Sequence, residues 1–476
     1  MIVKIYRHKR KSPMEISTEE KRRQAHYRIM TETPIPSLVT RLAIPTIISM
    51  LVTSIYNMAD TFFVAQLGTS AAGAVGIVFS IMAIIQALGF TLGQGGGAFV
   101  SRLLGARRVD EAIEVASSAF FAAIAVGLLL AIFGLTFTNG LMRALGATDT
   151  ILPYARAYGE YIFYACPIMS ASLVLNNLLR SEGKAMLGMI GITTGGILNI
   201  FLDPIFIFTF GFGTAGAAMA TAISQTISFL LLLVVFLTGH SNVRIRISKV
   251  SRRLSVYSTI VKNGFPSFSR QGLATISSVA LNVNASAFGD AAVAAMSISG
   301  RITFLLFSAM LGFGQGFQPV AGFNWGAERY DRVKKATIFT AIAGTVIISI
   351  LSFSCFIFAS DIVRSFRRDD IEVIRIGTIA LRAQCCMLPF SALCVITNMA
   401  LQVTGHSFRA SFTSMLRQGF CFLPYILILP RVIGLLGVQI SQPLSDMTTF
   451  IISLQFFLWF LRKTDRKIAE VNSAQQ

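Results

Sequence analysis

Carboxylates inside long apolar segments are the residues of this chain best suited to chemistry. Four acids lie well inside such segments: Asp60, Glu160, Asp203 and Asp446. A charged carboxylate at the centre of a membrane helix costs about 2.5–3.5 kcal/mol on insertion scales, so its default interpretation is functional. We therefore expect Asp60 and Asp203 to serve the function of the protein. A purely structural hydrogen-bond network is the alternative.

Each of these two acids follows a polar residue by one helical turn. Tyr56 precedes Asp60 in SIYNMADTFF, and Asn199 precedes Asp203 in ILNIFLDPIF. Residues four apart lie on the same face of a helix. Both acids lie 18 or 19 residues into their segments, or about 28 Å along a helix. We expect them at one depth, in the outer half of the membrane, where Thr221 of the next segment can join them.

Two carboxylates with an amide, a hydroxyl and a phenol can do one of two things. They can coordinate Na⁺ through oxygen atoms, with Asp60, Asn199, Asp203 and Thr221 as ligands. Alternatively, burial and mutual repulsion can make one carboxyl group a proton carrier near neutral pH. The residues suit both ions, so H⁺ and Na⁺ stay open as coupling ions.

Other metal or cofactor chemistry has little support in the sequence. The six cysteines all lie in apolar segments and form no CxxC pair, and the four histidines lie in tails or at segment ends. We expect no zinc site, no haem and no other cofactor, and we interpret the cysteines as buried, inert thiols.

The elements that must position these residues are membrane helices. Of 476 residues, 54% are hydrophobic and 13% are charged, against about 25% charged in an average soluble chain. This composition excludes a soluble globular protein, a disordered chain and a disulfide scaffold. Twelve apolar segments are predicted to span a membrane: 36–66, 71–99, 113–139, 153–180, 186–211, 214–238, 259–286, 290–322, 334–360, 373–403, 407–430 and 434–461.

The basic charge indicates how the chain is oriented. The net charge is +19, and most Lys and Arg fall in the tails and in alternate loops. The positive-inside rule then puts both termini in the cytoplasm of a multi-pass cell-membrane protein. Topology explains the charge, so we expect no nucleic-acid partner.

The sequence also repeats itself. Pro45 and Pro266 are 221 residues apart, as are the GQG motifs that begin at Gly93 and Gly314. This offset spans six segments, so corresponding helices run in the same direction. We predict an all-α membrane protein with 12 transmembrane helices in two pseudo-symmetric six-helix lobes around a central cavity. The predicted regions are an N-terminal tail (1–34), an N-lobe (35–238), a basic linker (239–258), a C-lobe (259–462) and a C-terminal tail (463–476).

Two lobes that flank a central cavity are typical of a transporter. No ATP-binding motif is present, and a membrane enzyme would need a polar catalytic cluster at one interface, so we expect no enzyme. The repeat already supplies two halves, which makes a monomer the simplest assembly.

At these residues the chain resembles the multidrug and toxic compound extrusion (MATE) family, most closely its bacterial MepA-like branch. The resemblance covers about 35–462. It rests on LAIPTIISMLVTSIYNMADTFFVAQLG, GFTLGQGGGAFVSRLLGARRVDEA, RSEGKAMLGMIGITTGGILNIFLDPIFIF and the second-lobe GFGQGFQPVAGFNWGAERYDRVKKA. It implies an antiporter that expels hydrophobic organic cations or drugs against an inward H⁺ or Na⁺ gradient. It also implies that Asp60, Asn199 and Asp203 form the ion site, with Tyr56, Thr221 and Asn176 as further members.

The second lobe departs from some branches of that family. Its first helix, FPSFSRQGLATISS, has no acid, which favours an ion site in the N-lobe. Arg270 and Asp446 are both expected near mid-membrane, where they form an ion pair or line the cavity. Gln86 and Met82 are further candidates for the cavity wall.

Two other functions stay open on the sequence. A lipid-linked glycan flippase of the wider superfamily would need an arginine-rich cavity, for which Arg270, Arg382 and Arg417 are candidates. A membrane-embedded lipid-modifying enzyme is the remote alternative.

Overall fold

The computed structural model describes residues 13–367 and 370–475, with side chains from Glu20 to Ala474. The first twelve residues of the predicted N-terminal tail lie outside this part of the chain. So do Arg368, Asp369 and Gln476.

All regular structure in the described residues is helical, which confirms the predicted fold class. The helices are α1 (Pro13–Glu32), α2 (Ile35–Ala65), α3 (Thr69–Gly105), α4 (Val109–Thr136), α5 (Thr138–Ala144), α6 (Leu152–Ser181), α7 (Ala185–Pro204), α8 (Gly213–Leu237), α9 (Leu254–Ser286), α10 (Asp290–Gly326), α11 (Tyr330–Ile357), α12 (Ala359–Phe366), α13 (Ile371–Val403), α14 (Ser407–Met415), α15 (Phe422–Ile433) and α16 (Leu435–Gln475). Two π-helical segments, Ile205–Thr209 and Leu416–Phe420, follow α7 and α14.

Eleven helical stretches of the described chain are long and apolar enough to cross a membrane. The remaining predicted segment, 259–286, is the seventh of the twelve and corresponds to α9. This helix has 33 residues but carries Lys262, Arg270 and many serines and asparagines, which lower its hydropathy. The predicted ends of two segments differ from the structure, because a separate short helix begins there. The short helices α5 and α12 were not anticipated, because their apolar residues continue the preceding segments in the sequence.

The internal repeat is visible in the backbone. The helices α5 and α12 begin 221 residues apart, at Thr138 and Ala359. Among the described residues, the non-glycine residues with a left-handed backbone are Arg107 (φ 59°) and Glu328 (φ 58°), which are also 221 apart. Two turns that share so rare a conformation at one offset indicate that the halves follow the same path.

The two halves meet where small residues let helices approach closely. On α10, Gly312 and Gly316 pack against the backbone of Ile47 and Ala43 on α2, and Thr46 Oγ1 donates to the Gly312 carbonyl at 2.6 Å. A side chain at either glycine would collide with α2. Small residues are the usual means of close packing between membrane helices.

The repeat produces a matching contact between α3 and α9. Gly95, the counterpart of Gly316, lies against the Ile260 carbonyl, and Gly264 lies against the Thr91 carbonyl. The lobes are therefore joined twice, by two related helix crossings near one end of the molecule.

Helix α1 lies across that same end. Asn324 Nδ2 donates to the Met30 carbonyl at 3.1 Å, and the Arg107 guanidinium sits 4.2 Å from the Tyr27 ring centre. Arg107 follows α3 and Asn324 belongs to α10, so α1 contacts both halves. At the other terminus, α16 continues through the predicted C-terminal tail to Gln475.

Candidate functional site

The acid of α2 lies deep in the first half of the chain. Asp60 is 4% exposed and accepts a hydrogen bond from the Tyr158 hydroxyl of α6 at 3.0 Å. Tyr158 is fully buried. Nothing in the sequence of α6 fixes the rotation of that helix, so a contact between this tyrosine and Asp60 was not predicted.

The acid of α7 is held by its own helix and by α8. Asn199 Nδ2 donates to Asp203 Oδ1 at 3.0 Å and to Thr221 Oγ1 at 3.2 Å. All three side chains are at most 3% exposed. The predicted one-turn spacing therefore does place the amide beside the carboxylate, and Thr221 joins them from the neighbouring helix.

Tyr158 links the two acids into one cluster. Its hydroxyl lies close to Asp203 and Thr221 as well as to Asp60, and the charges of Asp60 and Asp203 are near enough to repel each other. Tyr56 is 8% exposed and lies beside Asp60. We call Asp60, Asn199, Asp203, Thr221, Tyr56 and Tyr158 the acid cluster.

Within the described part of the chain, three oxygens of the acid cluster have no hydrogen-bond partner. They are Asp60 Oδ1, Asp203 Oδ2 and Asn199 Oδ1. A buried acceptor without a donor costs about 1–3 kcal/mol, and more when it is charged. Oxygen atoms are also the ligands that hard cations prefer. The cluster therefore has the composition of a site that takes up a proton or a small hard cation.

The backbone next to Asp203 departs from a regular helix. Pro204 has no N–H group, so it cannot bond the carbonyl one turn earlier, at Ile200. The chain continues as the π-helical segment Ile205–Thr209. Such segments occur often at functional sites, because they shift the helical register locally.

Several predicted site residues lie outside the acid cluster. Asn176 is buried against Gly188 on α7, eleven residues or roughly 16 Å along that helix from Asn199. Met82 is packed in the apolar core of the first half and is not part of an open cavity wall, whereas Gln86 is half-buried. Glu160 is ion-paired with Arg156 at 2.7 Å near the surface.

The predicted pair between Arg270 and Asp446 is wrong. Asp446 instead pairs with Arg417, whose Nε and Nη2 donate to its two oxygens at 2.7 and 3.1 Å. Gln442 Nε2 adds a third bond to Asp446 at 2.8 Å. Depth alone suggested Arg270, but depth does not tell which way a side chain points. Arg417 lies in the π-helical segment Leu416–Phe420 and faces α16.

The arginine-rich cavity of the flippase alternative does not form. Arg417 is neutralised by Asp446, and Arg382 is exposed beside the Phe356 ring at 5.4 Å. Among the described residues, Arg270 is the one of these three arginines that is neither exposed nor paired with a carboxylate within 4 Å. The cysteines are free thiols, five buried as expected and Cys386 exposed.

This fold of repeated helices around a buried acid cluster is that of a membrane transporter. A family model described as MatE matches residues 45–205 and 266–425, which together make up more than half of the chain. The two matches begin 221 positions apart and so coincide with the internal repeat. The chain belongs to the MatE family.

Individual relatives agree with this assignment. The chain is 26% identical to a protein of Staphylococcus saprophyticus named multidrug export protein MepA, over 88% of this chain and 92% of the relative. It is 27% identical to the protein of the same name from Staphylococcus aureus strain MSSA476, over 87% and 92%.

Solved structures give the same result. A crystal structure of MATE in complex with MaL6 aligns with a TM-score of 0.88 and 27% identity, over 93% of this chain and 99% of that one. An outward-facing multidrug resistance MATE family transporter of the MOP superfamily aligns with a TM-score of 0.87 and 26% identity, over 93% and 98%.

Proposed function

We propose that the protein is a secondary-active multidrug efflux antiporter that exports organic cations or drugs in exchange for H⁺ or Na⁺. Multidrug export is what the relatives' names describe. The observation that carries the exchange is the acid cluster, with its three unpaired buried oxygens. The coupling ion would bind there.

The acid cluster would act by changing its charge. Two neighbouring buried carboxylates repel each other when both are ionised, so one proton or one Na⁺ between them relieves the repulsion. Entry of one such ion supplies about 2.3 kcal/mol per 100 mV, in addition to its concentration gradient. Alternation between a loaded and an empty cluster would be coupled to rocking of the two lobes.

The residues of the acid cluster would have different roles in binding the ion. Asp60 and Asp203 would hold the ion, with Asn199 and Thr221 supplying neutral oxygens. Tyr158 would orient Asp60 through its hydrogen bond, and Tyr56 would close the site beside it. Asn176 belongs to α6 and packs against α7 at Gly188, about 16 Å along α7 from Asn199, and so lies too far away to contact the ion.

We further propose that both termini face the cytoplasm and that the protein acts as a monomer in the plasma membrane. The turns at the end covered by α1 carry Arg107, Arg108, Arg329 and Arg332, in keeping with the positive-inside rule. The two repeats already form both sides of the transport path.

Export by purified protein in proteoliposomes tests the proposal. An imposed pH gradient and an imposed Na⁺ gradient are applied separately, and uphill movement of a fluorescent organic cation is recorded. We expect one gradient to drive export by the wild type, and neither to drive export by Asp60→Asn or Asp203→Asn. Glu160→Gln is the matched control, because this acid of the same lobe is paired at the surface, and it should retain export. Undiminished uphill export by both asparagine variants would refute the proposal.

A further inference from the structure

A small polar pocket lies where the two halves meet, away from the acid cluster. Its volume is about 20 Å³, enough for one water or one small ion. Its lining includes Gln94, Ser101, Arg180 and Ser181 of the first half and Gln318 and Val403 of the second.

A chain of hydrogen bonds fixes which way Gln94 points. Gln402 Nε2 donates to the Asn263 carbonyl at 2.9 Å and to Ser267 Oγ at 3.0 Å. The carbonyl can only accept, so this amide orientation is determined. Because Ser267 Oγ accepts from Gln402, its own hydroxyl hydrogen is donated to Gln94 Oε1, at 2.5 Å. The amide nitrogen of Gln94 is then left buried and has no hydrogen-bond partner among the described residues.

Arg180 brings a positive charge to the same pocket. It is 5% exposed and donates to Gln315 Oε1 and Asn177 Oδ1, both of which are neutral. Arg270 lies near enough for the two charges to repel. Within the described chain, no carboxylate lies within 4 Å of either guanidinium. A buried charge without a counterion is strongly unfavourable.

The hydroxyl groups of the two serines that line the pocket already donate hydrogen bonds to backbone carbonyls. Ser101 Oγ donates to the Pro319 carbonyl at 3.2 Å, and Ser181 Oγ donates to the Leu178 carbonyl at 2.8 Å. Their oxygens can accept from a water, but a water would leave the charge of Arg180 unbalanced. The N–H groups of Gln94 and Arg180 that remain free need a hydrogen-bond acceptor, and the positive charge of Arg180 needs an anionic counterion.

We propose that this pocket binds one small monovalent inorganic anion, such as chloride, between Gln94 and Arg180. The site draws on both halves, because Gln94 and Arg180 belong to α3 and α6, whereas Gln318 and Val403 of its lining belong to α10 and α13. The anion therefore stabilises the conformation in which the lobes touch at this end. This role is independent of the ion exchanged at the acid cluster.

Thermal unfolding of the purified protein tests the site without any transport measurement. Bromide or chloride replaces gluconate at constant ionic strength. A ligand that binds the folded state raises the apparent Tm as its concentration exceeds its Kd, and we expect a rise of roughly 3 °C between 1 and 100 mM halide. Equal Tm values in halide and gluconate would overturn the proposal.

A fixed carboxylate should replace the anion. In Gln94→Glu we expect the Tm in gluconate to match that of the wild type in halide, with no further response to halide. The matched control is Gln66→Glu at the exposed end of α2, which should respond as the wild type does. A halide response that survives in Gln94→Glu would assign the binding elsewhere and overturn the proposal.

Bromide anomalous scattering from wild-type crystals gives a readout that needs no variant. A bromide peak in contact with Gln94 Nε2 and the Arg180 guanidinium supports the site. A pocket that holds only water under saturating bromide overturns it.

Discussion

The two halves of the molecule share a fold but differ in how they treat buried charge. In the first half, Asp60 and Asp203 have oxygens without partners. The offset of 221 places Leu281 at the position that corresponds to Asp60. The helices α7 and α14 begin 222 residues apart, at Ala185 and Ser407, which places Tyr425 at the position that corresponds to Asp203. The buried acid of that half, Asp446, instead receives two bonds from Arg417 and one from Gln442.

This difference separates chemistry from scaffold. A carboxylate that already has a counterion gains little from binding another cation, whereas a pair of acids without one has a strong need for it. The same helical framework can therefore carry a site that exchanges ions in one half and a fixed ion pair in the other. The backbone repeat does not determine which; the local charge balance does.

The largest effect on transport should come from giving the acid cluster the uncharged residues that the second half has at the corresponding positions. Replacing both Asp60 and Asp203 by leucine and tyrosine, their second-half counterparts, removes every carboxylate of the acid cluster. We expect uphill drug export in proteoliposomes to fall to the level of empty liposomes, with the protein still folded. Export by this variant above that level would show that the coupling site lies elsewhere.

Breaking the ion pair of the second half should affect stability more than transport. Asp446→Asn leaves Arg417 buried without a counterion, which costs about 3–5 kcal/mol. The double variant Arg417→Met, Asp446→Leu removes both charges, and we expect it to recover most of the lost stability. Thermal unfolding in detergent compares them. A double variant as unstable as the single one would mean that packing, not charge, matters at this site.

Removal of the hydrogen bond between Tyr158 and Asp60 should tune the acid cluster without destroying it. The hydroxyl stabilises the ion-free carboxylate by about 1.5–3 kcal/mol. In Tyr158→Phe we expect the ion concentration for half-maximal export to fall at least about tenfold. Tyr161→Phe, one turn away, is the control and should leave this concentration unchanged, and an equal shift in both variants would contradict the assignment.

The smallest effect concerns two histidines that lie beside equivalent turns of the two halves. Burial, with Lys184 nearby, lowers the pKa of His26 to about 4. Burial, with Lys463 and other cations nearby, lowers the pKa of His406 to about 4. Both rings are thus neutral in the folded protein, whereas an unfolded chain binds protons below about pH 6.5.

Their contribution to stability is therefore complete above pH 6.5 and declines as the pH falls toward 4. The slope of Tm against pH over this range should be smaller in a His26→Gln, His406→Gln double variant. Identical slopes would mean that neither histidine is protonated on unfolding.

The sequence predicted the architecture better than it predicted individual contacts. Hydropathy located the long helices, and the offset between Pro45 and Pro266 identified the repeat that the backbone shows. The four-residue spacing correctly predicted the contact of Asn199 with Asp203, and Thr221 of the next segment joins Asn199 as expected. These arguments depend on position along a helix, which the sequence records directly.

Contacts that depend on the rotation of a helix were missed. Tyr158 is one of ten tyrosines in the chain, and nothing in its spacing marks it as the partner of Asp60. Depth suggested Arg270 as the partner of Asp446, and the π-helical segment that turns Arg417 toward α16 has no clear sequence signal. The pocket beside Gln94 is lined by residues of four helices and cannot be inferred from any one of them.

The length of the two central helices has a mechanical consequence. The helices α3 and α10 have 37 residues each, or about 55 Å at 1.5 Å per residue, whereas the hydrocarbon layer is about 30 Å thick. Each helix crosses the other half at glycines that lie toward one of its ends, so most of its length extends to one side of that contact. From Gly95 or Gly316 to the far end of its helix is about 39 Å at 1.5 Å per residue, so a tilt of about 10° at the crossing displaces that end by about 7 Å.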